Sequence, residues 1–224
     1  MISRNFFCYS RRLLALLLAI AALSWAAGYK IIPWTPRAID TYPAKLASEG
    51  VTIAADPLFT DELAARVFDR KDMLTRGIMP VAVIISNGND FPVEVEGPSV
   101  ELTCGRDRVK SIEPLYAVRC LYDKKTARKV RIPVPLPIPT ITIKECDADA
   151  CFDFNHKFLA YKRVEPHATA GGFVFMAVSN IPDLRNALKS AVVFIRNIYN
   201  GKTGASMLYF EIDLKPAIVA ASGK

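Results

Sequence analysis

Gly77–Cys104, GIMPVAVIISNGNDFPVEVEGPSVELTC, is the stretch on which the reading of this chain turns. Ile78 to Ile85 is an almost unbroken apolar run, and Val81, Val83, Ile84 and Ile85 are β-branched, the side chains that suit a pleated surface. Apolar residues at both parities predict a strand covered on both faces. Ser86-Asn87-Gly88-Asn89-Asp90 breaks the run, and Asn-Gly is the dipeptide that supplies the positive φ angles of a tight hairpin. Alternation follows. Val93 and Val95 oppose Glu94 and Glu96, then Val100, Leu102 and Cys104 oppose Glu101 and Thr103, which predicts outer strands with one charged face.

Working outward, Val51–Ala55 reads as a first strand ending at Asp56-Pro57. Thr60 is placed to cap a helix through about Lys71, with Asp61 and Glu62 in its first turn and an apolar stripe of Phe59, Leu63, Val67 and Phe68. Downstream, Phe173–Val178, Ala191–Tyr199 and Met207–Leu214 read as strands, with one or two helical turns over Pro182–Lys189. Strands separated by turn signals predict an all-β fold, an Ig-like antiparallel β-sandwich with a short N-terminal helix packed on it.

The run VTIAADPLFTDELAARVFDRKDMLTRGIMPVAVIISNGNDFPVEV, together with Glu165-Pro166, Gly171-Gly172 and Phe173-Val174-Phe175-Met176, resembles two blocks of a family of uncharacterised bacterial envelope proteins. The two blocks cover about a third of the chain. The resemblance implies an Ig-like sandwich and export, and it implies no activity. Members often carry a lipobox cysteine after the signal; no cysteine follows the apolar run here, so the mode of anchoring departs from that pattern.

Arg11-Arg12 precede LLALLLAIAALSWAAG, a positive region followed by an apolar core and small residues, the pattern of a secretory signal. Ser24-Trp25-Ala26 or Ala26-Ala27-Gly28 could be cleaved; left uncleaved, the segment is an N-terminal membrane anchor extended toward the interface by Tyr29, Ile31, Ile32 and Trp34. The chain therefore divides into a signal peptide or anchor (1–28), a proline-broken linker (29–50), the sandwich domain (51–215) and a frayed tail (216–224). The expected location is the periplasm or cell envelope. Net charge is +7, of which Arg4, Arg11 and Arg12 in the leader supply three; the mildly basic remainder is no nucleic-acid signature.

Four cysteines follow Cys8. An even number in an exported chain predicts disulfides, and the local pairs Cys104–Cys120 and Cys146–Cys151 are the favoured pairing of three. A zinc site is the rival, but no C-x-x-C occurs.

The middle of the chain is unusual. Lys124, Lys125, Arg128, Lys129 and Arg131 form a basic cluster, and Pro133, Pro135, Pro137 and Pro139 then alternate with Val134, Leu136 and Ile138. Proline at every second position forbids ladder hydrogen bonds along that edge, so the segment is expected to be extended. It combines basic and apolar exposure, which marks it as the expected partner-binding surface for an envelope protein or an anionic envelope component. A solvated edge is the plainer account of the same residues. Glu145–Asp153 reads as an acidic loop, whose Asp147, Asp149 and Asp153 lack the glycine and terminal glutamate of an EF-hand. Only His156 and His167 could serve a hydrolase triad, and no G-x-S-x-G is present. Gly201-Lys202-Thr203 lacks the upstream glycine of a phosphate loop, since position 196 is Arg. The expectation is an exported, non-catalytic binding domain with no cofactor; the rivals are an envelope hydrolase using His156 or His167 and a purely structural role in envelope assembly.

Overall fold

The computed structural model describes residues 28–96, 99–122, 147–207 and 209–222. The strands are β1 (Lys45–Ser48), β2 (Val51–Pro57), β3 (Ile78–Asn87), β4 (Val93–Glu96), β5 (Val100–Cys104), β6 (Asp107–Ile112), β7 (Tyr161–Val164), β8 (Thr169–Ala177), β9 (Ala191–Ile195), β10 (Ile198–Asn200) and β11 (Phe210–Asp213). The helices are α1 (Asp61–Ala64), α2 (Pro114–Tyr122), α3 (Ala148–Lys157), α4 (Leu184–Ala187) and α5 (Lys215–Ser222). The fold is thus mostly β, in two antiparallel sheets: an eight-stranded sheet ordered β1-β2-β3-β8-β6-β5-β9-β11 and a three-stranded sheet ordered β10-β4-β7. The larger sheet curls until its edge strands β1 and β11 lie side by side, so that it is nearly barrel-shaped.

β3 is the central element, as its composition predicts. It pairs with β2 on one side and β8 on the other, and nearly every residue is buried. The two parities serve two cores. Met79, Val81, Val83 and Ile85 face an interior cluster with Val51, Ile53, Leu102, Val174, Val193 and Ile212, which Val93, Val95, Val164 and Ile198 of the small sheet cover. Ile78, Ala82 and Ile84 face a second cluster with Phe68, Phe154, Phe173 and Phe175 beneath α2 and α3. The alternating stretches of β4 and β5 bury their valines, leucine and cysteine and leave Glu94, Glu96, Glu101 and Thr103 half-exposed.

Several expectations are corrected. β3 and β4 do not form a hairpin; they belong to different sheets, and Asn87 fastens the crossing. Its buried Nδ2 donates to the carbonyls of Phe91 (2.8 Å), Val164 (3.1 Å) and Glu165 (3.2 Å). The positive-φ pair stands instead at Glu49 and Gly50, the two-residue turn joining β1 to β2. The segment 29–50 is not a free linker. Tyr29, Tyr42 and Ala44 are buried, the Trp34 ring lies edge-on to Phe173 at 4.5 Å, and Lys45–Ser48 is a strand of the main sheet. Its prolines bar a helix but suit an extended chain lying on a surface. Gly171 and Gly172 of β8 permit the close approach: a Cβ at Gly171 would stand 3.3 Å from Trp34, and one at Gly172 3.0 Å from the Lys157 carbonyl.

Thr60 caps α1 as expected, its hydroxyl accepting from the Leu63 N–H at 3.2 Å. The helix stops after one turn because Asp61 draws the chain back, accepting from the Leu74 N–H (2.7 Å) and the Thr75 hydroxyl (2.6 Å). The acidic loop is a helix from Ala148, with Asp147 accepting from the Asp149 and Ala150 amides. Cys120 lies on α2. The described part of the tail is helical, and α5 buries Ala217 and Ile218 against the interior cluster.

Candidate functional site

An open groove of about 630 Å³ lies where the N-terminal segment crosses the sheet. Trp34, Arg37 and Tyr42 form one wall, the end of β2 with Asp56 and Pro57 another, and Leu63, Arg66 and Val67 of and after α1 a third. Ala82 and Phe173 form the floor, and Ala217, Ala220 and Ala221 of α5 bound the far side. The groove exists because small residues meet large ones there: alanines on β3 and α5 leave space that the aromatic side chains only edge.

Asp56 is the distinctive group. Its pairing opposite Ala82 aims it out of the interior core, and its side chain retains about a third of its exposure. Burial pushes its carboxyl above the usual carboxylate range, and the Arg37 guanidinium at 3.2 Å pulls it back. Arg37 itself is mostly exposed and lies 4.6 Å over the Tyr42 ring. Arg66 is exposed on the rim. A half-desolvated carboxylate, two guanidinium groups and an aromatic edge over an apolar floor can hold an extended apolar segment and fix its register through charge.

A second constellation borders the same aromatic cluster. Lys157 and Asp153 are one helical turn apart on α3 and both buried, with Nζ 2.7 Å from Oδ2. Lys157 also donates to the Val67 carbonyl at 2.7 Å and sits 4.9 Å above the Phe68 ring. The Tyr29 hydroxyl donates to the same Asp153 oxygen at 2.5 Å and accepts from the Asp69 N–H. Burial raises the Tyr29 pKa, reinforced by the Asp153 carboxylate, and burial lowers that of Lys157. Asp153 Oδ1 is buried with no partner among the described residues. This network locks the first described residues of the chain to α3.

The residues singled out in the sequence fall as follows. Lys124, Lys125, Arg128, Lys129, Arg131, Val134, Leu136, Ile138 and Cys146 lie outside the described residues, as do residues 1–27 of the leader. Cys104 is buried in the interior cluster and Cys120 packs against the helical cluster, so the two side chains border different cores. Cys151 is half-buried on α3. His156 is exposed and stacked on Phe152 at 5.7 Å. His167 adopts φ +56° in its turn and pairs with exposed Asp90 at 2.9 Å. Of the three aspartates, Asp147 caps α3 and Asp153 holds Lys157; among the described residues no group of three His, Cys, Asp or Glu is placed to hold a metal ion.

Neither the groove nor the buried network was foreseen. The Asp153–Lys157 spacing is the i, i+4 pair of a helix, but that segment reads as a loop by its acid content. Asp56 reads only as a strand terminator before Pro57. No known protein family, curated protein or solved structure matches this chain. Among the described residues no helix is long and apolar enough to cross a membrane.

Proposed function

We propose that this chain is an exported, envelope-located domain that acts by binding, held at the membrane by residues 1–28 or released from it by cleavage. The family resemblance and the leader pattern support export. On this reading the eight- and three-stranded sheets are a distorted Ig-like sandwich whose larger sheet has curled almost closed, and the bound species is an envelope protein segment. The observation that carries a binding role is Asp56 in the groove. A carboxylate whose charge is disfavoured by burial and offset only by an exposed arginine adds little to stability, and perturbed groups in clefts mark functional sites. Lys124, Lys125, Arg128, Lys129 and Arg131 would speed encounter with an anionic partner in a salt-dependent manner.

The test is site-specific photo-crosslinking in intact cells, with the photoreactive residue at position 66 or 125, combined with protease accessibility of the chain from the periplasmic side. A protease-accessible chain giving one discrete adduct at position 66, lost in Asp56→Asn while thermal stability is kept, is the expected result. A protease-shielded chain, or adducts unchanged by Asp56→Asn and by replacing the five basic residues with Ser, would overturn the reading.

A further inference from the structure

We infer that a cup beside β7, the edge strand of the small sheet, binds an organic cation: an alkylammonium or guanidinium group, carried by a small molecule or by a basic side chain of a peptide. The cup has a volume of about 310 Å³ and is lined by Glu96, Glu113, Phe158, Ala160 and Tyr161. It shares no lining residue with the Asp56 groove, and it stands whether or not that groove binds a partner.

The first observation is charge left without a counter-charge. Neighbouring acids are matched with arginines: Glu94 with Arg163 at 2.9 Å, Glu165 with the same guanidinium at 3.0 Å, and Glu101 with Arg196 at 3.0 Å. The two glutamates of the cup are not. Glu96 Oε2 accepts from the Asn197 Nδ2 at 3.0 Å, an uncharged partner. Glu113, just before α2, gives its backbone carbonyl to the Ala117 N–H at 3.0 Å, and among the described residues neither carboxylate is ion-paired. Arg163, on the same face of β7 as Tyr161, is already held by two carboxylates.

The second observation is the pair of rings. Tyr161 lies opposite Glu96 in the β4–β7 ladder, and side chains so opposed stand about 5 Å apart at Cβ. Tyr161 is 56% exposed, and its hydroxyl reaches diagonally to the Glu94 carboxylate, a hydrogen bond that raises its pKa. Phe158, half-buried just past α3, stacks on Phe175 at 6.3 Å with the ring planes 13° apart. Both rings are thus fixed from outside the cup that they border.

Carboxylates and aromatic faces select the same kind of ligand. The ring quadrupole attracts a cation, and the attraction adds to that of the carboxylates. A guanidinium can fork onto a carboxylate while its plane lies on a ring, and a methylated ammonium fills the same space with a diffuse charge. A neutral ligand would cover two carboxylates without replacing their hydration. A hard metal ion needs more oxygen ligands than two glutamates supply, and among the described residues no third ligand joins them.

The experiment titrates the full chain, in neutral maltoside micelles at low salt, with choline, acetyl-argininamide and the uncharged carbon isostere of choline, read by saturation-transfer NMR. At least one cation is expected to saturate near about 1 mM, and the isostere to bind about tenfold more weakly. Glu113→Gln and Tyr161→Leu, both at exposed positions, should each weaken the cation about fivefold and melt with the parent. Glu62→Gln, an exposed acid on α1, should leave the affinity unchanged. The tighter cation assigns the source: choline a small quaternary ammonium, acetyl-argininamide a basic side chain. Equal binding of the isostere, no saturation by about 50 mM of either cation, or an affinity unchanged in Glu113→Gln or in Tyr161→Leu would overturn the inference.

Discussion

The two sides of β3 are built on different principles. The interior side, Met79 to Ile85 with Leu102, Val174 and Val193, is aliphatic apart from Cys104 and a few aromatic side chains, and among the described residues no buried charged side chain belongs to it. The helical side, Ile78 to Ile84 with the phenylalanines of β8, is aromatic and encloses the Tyr29–Asp153–Lys157 network. One side is held by volume and the other by volume and a buried charge pair. The consequence is that the interior tolerates any side chain that fills the same space, while the helical side depends on matched partners. It also places the costly network where the N-terminal segment docks, so that ordering of Tyr29 and integrity of α3 are one event.

The largest effect should separate the sides by isosteric substitution. Asp153→Asn keeps the volume but leaves the buried Lys157 ammonium without its carboxylate, and is expected to cost about 3 kcal/mol. Leu102→Met, equally volume-conserving on the interior side, should cost under about 1.5 kcal/mol. Asp153→Leu combined with Lys157→Met should recover most of the Asp153→Asn loss, since removing both charges removes the desolvation as well. Urea unfolding at pH 7 measures all three. If Asp153→Asn and Leu102→Met cost the same, the two sides do not differ in kind.

The next effect is in the pH dependence. Burial and the Asp153 carboxylate hold the folded Tyr29 hydroxyl above its ordinary pKa, so its contribution is whole below pH 10 and is lost as pH rises beyond, when the unfolded tyrosine releases its proton first. Lys157, pushed down by burial, acts in the opposite sense: between its lowered folded pKa and about 10.5 the unfolded chain holds more protons, and stability rises with pH. Well above pH 10.5 Lys157 is neutral in both states, and the decline that remains is shared by Tyr29 with Tyr122 and Cys104, which burial also holds above their ordinary pKa. Tyr29→Phe should therefore lower stability by about 1–2 kcal/mol at pH 8 and flatten its decline between pH 10.5 and 12. Parallel curves for parent and variant would show that the hydroxyl is not tied to the fold.

What the sequence made legible follows the same division. Strand periodicity carries through, because alternation in β4 and β5 and the double-faced run of β3 are read directly from which residues must leave water. The helical side was not legible. Pro114–Tyr122 sets Val118 and Cys120 at alternate positions that also fit a strand, and Asp147–Asp153 looks like a loop until Asp147 is recognised as a cap. The groove was hidden for a different reason: it is made of Ala82, Phe173 and Ala217, residues far apart in the chain whose only shared property is size. Burial through Tyr29, Trp34 and Tyr42 in a proline-broken segment has no period at all, so no pattern rule finds it.

The smallest effect concerns the thiols, one on each side. Cys104 is 6% exposed in the interior cluster, and burial, with Asp107 nearby, pushes its pKa up to about 11. Cys120 is half-exposed on the outer helix layer. Alkylation requires the thiolate and access to it, so at pH 8 Cys120 should react well before Cys104 in folded protein, and mild denaturant should bring the two rates together. Neither alkylation of Cys120 nor Cys120→Ser should move the melting temperature much, because its side chain only borders the aromatic cluster. Cys104→Ser should cost more, since it places a hydroxyl among aliphatic neighbours without a partner. Peptide mapping without reduction completes the test. Cys104 and Cys120 recovered as separate thiols, with 146–151 as a bridged pair, would keep the two cores chemically distinct. A recovered 104–120 bridge would instead join them across the sheet, restore the pairing expected from local spacing, and require α2 to sit closer to the end of β5 than it does here.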